Sequence, residues 1–389
     1  MTTDIHLDAL LDHAAQHSPY YREQPWAERV RQGLRVTLED IPLTPKHRVV
    51  GNGTLFFSET VPSSEGRVFD KFTSGSTGEP LHVRKTERHF LINAVENRRL
   101  ELGWEMERCH RTVKAKLTNV EVKVIDGQAH WTIYSLESAD VLDLLRKTSA
   151  DRLAGFPSMA LGVLQTSTNL PFLKLVATVG EVVPAELTQL VSEIPRCRLR
   201  DLYGSVETGV IAIQCPRCSG YHLADQHLVL EFLDEHGAPA SPGQQARVVV
   251  TPLFNFAMPL IRYELGDLVI HEDGAACVAA KVIRRITGRE KDLFVLPARS
   301  KVTPMLPADA MLALKIKQFK LVQISLTEVE LRYIPEHPDF VMSAPTAQQL
   351  IDTYLSPRLR ALPIAVTELP RSVNGKYRMH ENQIRDIAT

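Results

Sequence analysis

The chain is poor in cysteine, with five in 389 residues: Cys109, Cys197, Cys215, Cys218 and Cys277. A sparse and odd-numbered set argues against a disulfide framework. Long apolar runs are also missing, and no stretch approaches the ~18–20 residues of a membrane-crossing helix. Net charge is nearly absent, since 45 Lys+Arg against 46 Asp+Glu leave −1. That balance argues against a mainly electrostatic nucleic-acid binder. The opening MTTDIHLDALLDH places Asp4, Asp8 and Asp12 where a secretory signal needs an apolar core. The expected location is therefore the cytoplasm, with no membrane and no nucleic acid among the partners. What is present is an ordinary globular composition, 44% apolar and 23% charged. That length provides for a large domain plus a small one.

The first segment reads as an amphipathic helix with Asp4 as its cap and Leu7, Leu10, Leu11, Ala14 and Ala15 on one face. Ser18-Pro19 breaks it, because the residue before proline avoids the helical region. Further on, short apolar strands such as 173–179 (LKLVATV) and 247–250 (RVVV) alternate with helical periodicity. This predicts an α/β core with a partly parallel sheet. The last hundred residues read as a compact α+β module. A short helix is expected over 308–316, strands over 321–326 and 329–334, and a helix capped by Thr346 that carries Leu350, Ile351, Tyr354, Leu355 and Leu359. A final strand is expected over 364–366. The charged, glycine-led run Gly288-Arg289-Glu290-Lys291-Asp292 is the expected hinge, giving domains of 1–291 and 292–389.

Two clusters carry chemistry. Residues 71–80 (KFTSGSTGEP) alternate the hydroxyls of Thr73, Ser74, Ser76 and Thr77 with Gly75 and Gly78. Small residues let backbone N–H groups approach an anion closely, and the hydroxyls add donors. No G-K-[ST] closes the segment, so it is not a Walker loop. The second cluster is Cys215-Pro216-Arg217-Cys218, with His222, His227 and Cys277 downstream. Two thiolates at C-x-x-C spacing can share a zinc ion, but the second Cys pair of a four-thiolate site is missing. Plain reduced cysteines are the expectation and zinc the alternative. His222 has a rival role in an acyl pocket.

The string from Thr73 to Pro80 resembles the signature phosphate loop of the acyl-adenylate-forming (ANL) superfamily of acyl-CoA synthetases, peptide-synthetase adenylation domains and luciferases. Other signatures follow in order. Gly180-Glu181 resembles the turn near the adenine, and Tyr203-Gly204-Ser205-Val206-Glu207-Thr208 resembles Y-G-x-[TS]-E. Tyr263-Glu264-Leu265-Gly266-Asp267 resembles the ribose-binding G-D motif, and 288–292 the G-R-x-x-D hinge. Residues 370–376 (PRSVNGK) resemble the C-terminal P-R-x-x-x-G-K motif. The His17–Tyr21 opening and residues 254–267 (FNFAMPLIRYELGD) look most like the phenylacetate–CoA ligase-like branch.

The resemblance implies an α/β fold, with a large N-terminal adenylate-forming domain of mixed sheets and helices and a small mobile α+β C-terminal domain. It implies an ATP-dependent ligase that converts a carboxylic acid to acyl-AMP and pyrophosphate, then passes the acyl group to a nucleophile. The implied acid is aryl or arylacetic, with phenazine carboxylates of antibiotic biosynthesis among the candidates. In these roles Thr73, Ser74, Gly75, Ser76, Thr77 and Gly78 hold phosphates. Gly180, Glu181, Tyr203, Gly204 and Ser205 surround the adenine side, Asp267 takes the ribose and Arg289 the ribose or hinge. Glu207 holds Mg²⁺, and Lys376 from the small domain meets the reacting carboxylate and α-phosphate. Phe156-Pro157-Ser158 is the candidate acyl-pocket segment. Val206 stands where the family has Thr or Ser, so that either Thr208 substitutes for the hydroxyl or ATP binding is weaker. Residues 294–303 lack the glycine that CoA-forming relatives carry after the hinge. The expected acceptor is a thiol (CoA or a carrier protein), an amine or a reductase. Adenylylation of the coenzyme F420 type and a degenerate adenylate-binding role are the alternatives. Some relatives in this branch carry a structural zinc, here at Cys215 and Cys218. A homodimer is compatible with the sequence.

Overall fold

The structure, a computed structural model, describes residues 2–73, 81–102, 111–115, 122–125, 128–133, 137–215, 217–218, 220–275, 277, 280–304, 306–370 and 377–384. They divide into two compact units, Met1–Arg108 with Leu202–Ile286 and Cys109–Asp201 with Thr287–Thr389. Among the described residues no helix is long and apolar enough to cross a membrane.

In the first unit the Thr2–His17 helix forms as its periodicity predicts, and Leu10, Leu11, Ala14 and Ala15 are buried. Ser18 is extended (φ −97°) before Pro19, which ends the helix. The buried face packs into a core with Tyr21, Trp26, Phe56, Ile261 and Tyr263. Strands Leu228–Leu233, Gln245–Pro252, Tyr263–Glu272, Val282–Arg289, Tyr221–Leu223, Gly209–Gln214 and Arg198–Ser205 lie side by side in that order. A hairpin of Val68–Phe72 and His82–Thr86 stands apart, registered from Val68↔Thr86 to Phe72↔His82. The Glu87–Leu102 helix that follows is unusual. Its apolar Leu91 and Val95 are exposed, while polar His89 and Glu96 are buried.

The second unit holds the parallel strands expected of an α/β core. Leu175–Val179, Arg152–Gly155, Arg111–Ala115 and Gln128–Ile133 are parallel neighbours, with Val122–Ile125 antiparallel at the edge. Helices Ser138–Thr148 and Pro157–Thr166 supply Val141, Leu142, Leu145, Met159 and Val163 to its core. The C-terminal module is a four-stranded sheet in the order Arg360–Ala365, Glu328–Pro335, Ile316–Gln323, His380–Asn382. Helix Ala344–Tyr354 buries Ala347, Leu350 and Ile351 in the same core.

Three local expectations shift. The helix expected over 308–316 spans Ala308–Ala313, because Lys315 adopts a left-handed φ of 57° and Ile316 starts a strand. The cap of Ala344–Tyr354 is Ser343, whose side chain accepts from the Thr346 N–H. A proline in the first turn is accommodated there because that N–H has no helical partner in any case. The strand expected over 364–366 spans Arg360–Ala365, and His380–Asn382 adds one more.

Candidate active site

The stem of the hydroxyl-rich loop is well defined. After the last hairpin pair, Thr73 N–H donates to Leu81 O at 2.9 Å, and the Thr73 hydroxyl accepts from Leu81 N–H at 2.9 Å. The reciprocal pair joins the two ends of the hairpin, and among the described residues the Thr73 hydroxyl has no acceptor for its own proton. Ser74, Gly75, Ser76, Thr77 and Gly78 lie outside the described residues, as does Lys376.

Glu207 is buried, and its Oε1 accepts from Lys46 Nζ at 2.8 Å and from Tyr263 OH at 3.1 Å. Burial pushes the carboxyl pKa up. The ammonium of Lys46, the residue's own backbone N–H and the Tyr263 hydroxyl outweigh this and hold it below the usual glutamate value. Burial, and then the Glu207 charge, push the Tyr263 phenol well above its ordinary value, so it remains a donor. A buried carboxylate kept ionised suits a hard cation shared with phosphate oxygens. The residues present therefore fit Mg²⁺, with Glu207 as the protein ligand. Lys46 was not read from the sequence. It lies 161 positions from Glu207, and nothing local marks it.

The motif around Glu207 is a strand end and turn. Tyr203, largely buried, donates its hydroxyl to Asp267 Oδ2 at 2.9 Å, so the two residues assigned to adenine and ribose are neighbours. A side chain at Gly204 would meet the Gly209 carbonyl at 2.5 Å, so the turn closes only with glycine there. Ser205 and Thr208 share a hydroxyl hydrogen bond of 3.0 Å, and Thr208 is fully buried. Thr208 is thus committed inward and is not a substitute for the hydroxyl lost at Val206, which is exposed.

In the second unit, Gly180 adopts φ 86° directly after strand Leu175–Val179, a left-handed turn that glycine permits. Glu181 then accepts from Ser158 N–H at 2.9 Å and from Tyr377 N–H at 2.5 Å. The first bond satisfies an N-terminal donor of helix Pro157–Thr166. The second fixes the backbone one residue beyond Lys376. Arg289 ends strand Val282–Arg289.

Back in the first unit, Cys215, Cys218, His222 and Cys277 converge, with their ligand atoms within 4.8 Å of one another. The Cys215–Cys277 sulfur separation is 3.6 Å, and His222 Nε2 lies 3.6 Å from Cys218 Sγ and 3.3 Å from Cys277 Sγ. Tetrahedral ligands about 2.3 Å from zinc stand roughly 3.5–3.8 Å apart. The C-x-x-C pair is thus joined by His222 and Cys277 at the spacing of a Cys₃His set. His222 is placed there by the pairing of Tyr221–Leu223 with Val282–Arg289. His227 is elsewhere in the unit, beside Lys85 and His89.

No protein-family model matches the sequence, and no curated protein matches it. Solved structures do. A 2-hydroxyisobutyryl-CoA ligase in the postadenylation state with 2-HIB-AMP aligns at TM-score 0.73 and 19% identity, over 96% of this chain and 87% of that one. An anthranilate–CoA ligase with anthranoyl-AMP aligns at TM-score 0.59 and 16% identity, over 79% and 65%. The O-succinylbenzoate–CoA synthetase of Bacillus subtilis with AMP aligns at TM-score 0.58 and 16% identity, over 79% and 67%. At this level of identity the likeness establishes architecture, and the chain has the fold of the adenylate-forming acyl- and aryl-CoA ligases.

Proposed function

We propose that the protein adenylates a carboxylic acid with ATP, releasing pyrophosphate, and transfers the acyl group from acyl-AMP to the thiol of CoA. The observation that carries this reading is the buried, ionised Glu207 beside the linked pair Tyr203–Asp267. These groups follow a hydroxyl-rich loop in a chain with a CoA-ligase fold. Carboxylates are poor electrophiles, and attack on the α-phosphate needs positioning and charge neutralisation more than covalent help. Mg²⁺ bound at Glu207 would supply neutralisation of the phosphate charge. Tyr203 and Asp267 would orient the nucleoside, and residues 73–78 the β- and γ-phosphates. The proposed acid is aryl or arylacetic, phenazine carboxylates included, a reading supported by the fold shared with an anthranilate ligase. Residues 292–389 are the proposed mobile domain carrying Lys376. Exchange of labelled pyrophosphate into ATP should depend on an added aromatic acid, and CoA should then give a thioester by mass spectrometry. A panel of acids with no dependent exchange would refute adenylation; exchange without thioester would refute only the acceptor.

We also propose that Cys215, Cys218, His222 and Cys277 hold one structural zinc. Four ligand atoms at tetrahedral spacing support it, and with cytosolic reduction the thiols remain available. Protein purified from zinc-supplemented medium should carry about one zinc per chain. Cys277→Ser should lose most of that metal and melt at a lower temperature. Metal content near zero in the unaltered protein would remove the site.

A further inference from the structure

The Glu87–Leu102 helix runs against the usual burial pattern over its first three turns, before Leu100 rejoins the core. Folding alone favours an apolar face toward the core and a polar face toward water. Here Leu91 and Val95 are 63% and 68% exposed, while His89 and Glu96 are 2% and 3% exposed. His89, Asn93 and Glu96 recur at helical spacing on one face. Asn93 reaches the turn behind Glu207, donating to Thr208 O at 3.5 Å and accepting from Val210 N–H at 3.4 Å. Glu96 is satisfied by Arg99, through contacts of 2.7 and 2.5 Å.

His89 is not satisfied. Its buried Nε2 has no hydrogen-bond partner among the described residues, and the same holds for both ring nitrogens of buried His227. The carbonyls of Ala224 and Val210 lean toward His227, but neither nitrogen meets them with hydrogen-bond geometry. Lys85, 4% exposed, bears electrostatically on both rings; its ammonium lies over the Phe90 ring at 5.6 Å and makes no hydrogen bond or ion pair among the described residues. Its nearest charges are Glu207, already engaged by Lys46 and Tyr263, and Lys71. Burial is the main influence on all three groups and opposes their positive charge. It brings Lys85 down to about 8, His227 to about 4 and His89 well below the ordinary histidine value. Buried polar nitrogens nearly always find partners, and leaving several unpaired in one place is costly. A cluster of such groups beside a site marks a ligand position.

We infer that Lys85, His89 and His227 form a pocket for a second acidic group on the carboxylic acid substrate, so that the enzyme prefers acids carrying an additional carboxylate. Lys85 supplies a charge-assisted donor and the neutral imidazoles supply N–H donors, a set that two carboxylate oxygens satisfy. The inference rests on the adenylation reading and narrows its substrate class.

The test pairs acids that differ by one carboxylate, benzoate with isophthalate and butyrate with glutarate. In pyrophosphate exchange the diacid of at least one pair should show kcat/KM at least ~10-fold above its monoacid, as expected when a site built for a polar group is left unpaired by the analogue. Lys85→Met should erase most of that preference with the KM for ATP unchanged. Independently of turnover, isophthalate or glutarate should shift the imidazole resonances of His89 and His227 in the unaltered protein, whereas the monoacids should not. Monoacids exchanging as well as diacids would overturn the inference and leave adenylation standing. A Lys85→Met effect on the KM for ATP alone would assign the pocket to the triphosphate. Imidazole resonances that ignore every diacid would mean that the three residues hold water only. Failure of every acid to support exchange, with the diacid shifts still present, would keep the pocket and refute the reaction.

Discussion

Lys376→Ala should lower carboxylate-dependent pyrophosphate exchange at least ~100-fold, the scale expected when one preorganised donor to developing charge is removed. In the transition state, negative charge from the attacking carboxylate and the α-phosphate shares one centre. A compact ammonium can serve both oxygens at once. The structure fixes the segment immediately after it. Tyr377 N–H is held by Glu181 at 2.5 Å, and the Tyr377 hydroxyl donates to the Phe319 carbonyl. The described chain thus resumes, directly after residue 376, in contact with Glu181. A donor used mainly in the transition state should be lost from kcat and kcat/KM alike, with the KM for ATP little changed. Melting temperature should not move, because the anchoring bonds belong to Tyr377 and Glu181. Exchange at the unaltered rate in Lys376→Ala would remove Lys376 from the chemistry.

The parts of this molecule legible in its sequence are those whose chemistry is local. The run 71–80 reads as a proposed anion loop because hydroxyls and glycines must be contiguous to cradle a phosphate, and of it the structure describes the strand end and Thr73. The first helix shows its buried face in the spacing of Leu7 to Ala15. Sites assembled by sheet pairing leave no such trace. Cys277 lies 62 positions from Cys215 and joins it only because strand Val282–Arg289 pairs with Tyr221–Leu223. The C-x-x-C spacing marks two of the four residues, and sequence alone cannot choose among His222, His227 and Cys277 for the others. Nothing in the sequence marks Lys46 or Lys85, and only tertiary structure shows one bound to a buried carboxylate and the other buried with no ion pair among the described residues. The Glu87–Leu102 helix gives the reverse lesson. Leu91 and Val95 point outward while His89 and Glu96 are buried, although Leu100 still joins the core, and that local conflict marks the first turns of the helix as serving more than the core.

Glu207→Gln should separate folding from activity. The carboxylate is ionised because Lys46 and Tyr263 oppose the cost of its burial. A glutamine keeps the shape and can still accept from the Tyr263 hydroxyl, and Lys46, its side chain 45% exposed, stays hydrated. Stability near neutral pH should therefore fall only by the modest contribution of the ionised carboxylate, leaving the fold intact. The pH dependence carries the sign. A carboxyl lowered in the folded state favours folding above its unfolded pKa near 4.5 and loses that contribution as pH falls through the lower folded value. Glu207→Gln should accordingly flatten the acid limb of the stability profile below about pH 4.5. Activity has no such compensation. If Glu207 holds magnesium as proposed, loss of the anionic oxygen should lower pyrophosphate exchange by ~100-fold or more with a raised requirement for magnesium. A Gln variant with ordinary exchange at low millimolar magnesium would show that the buried carboxylate serves only its ion pair with Lys46.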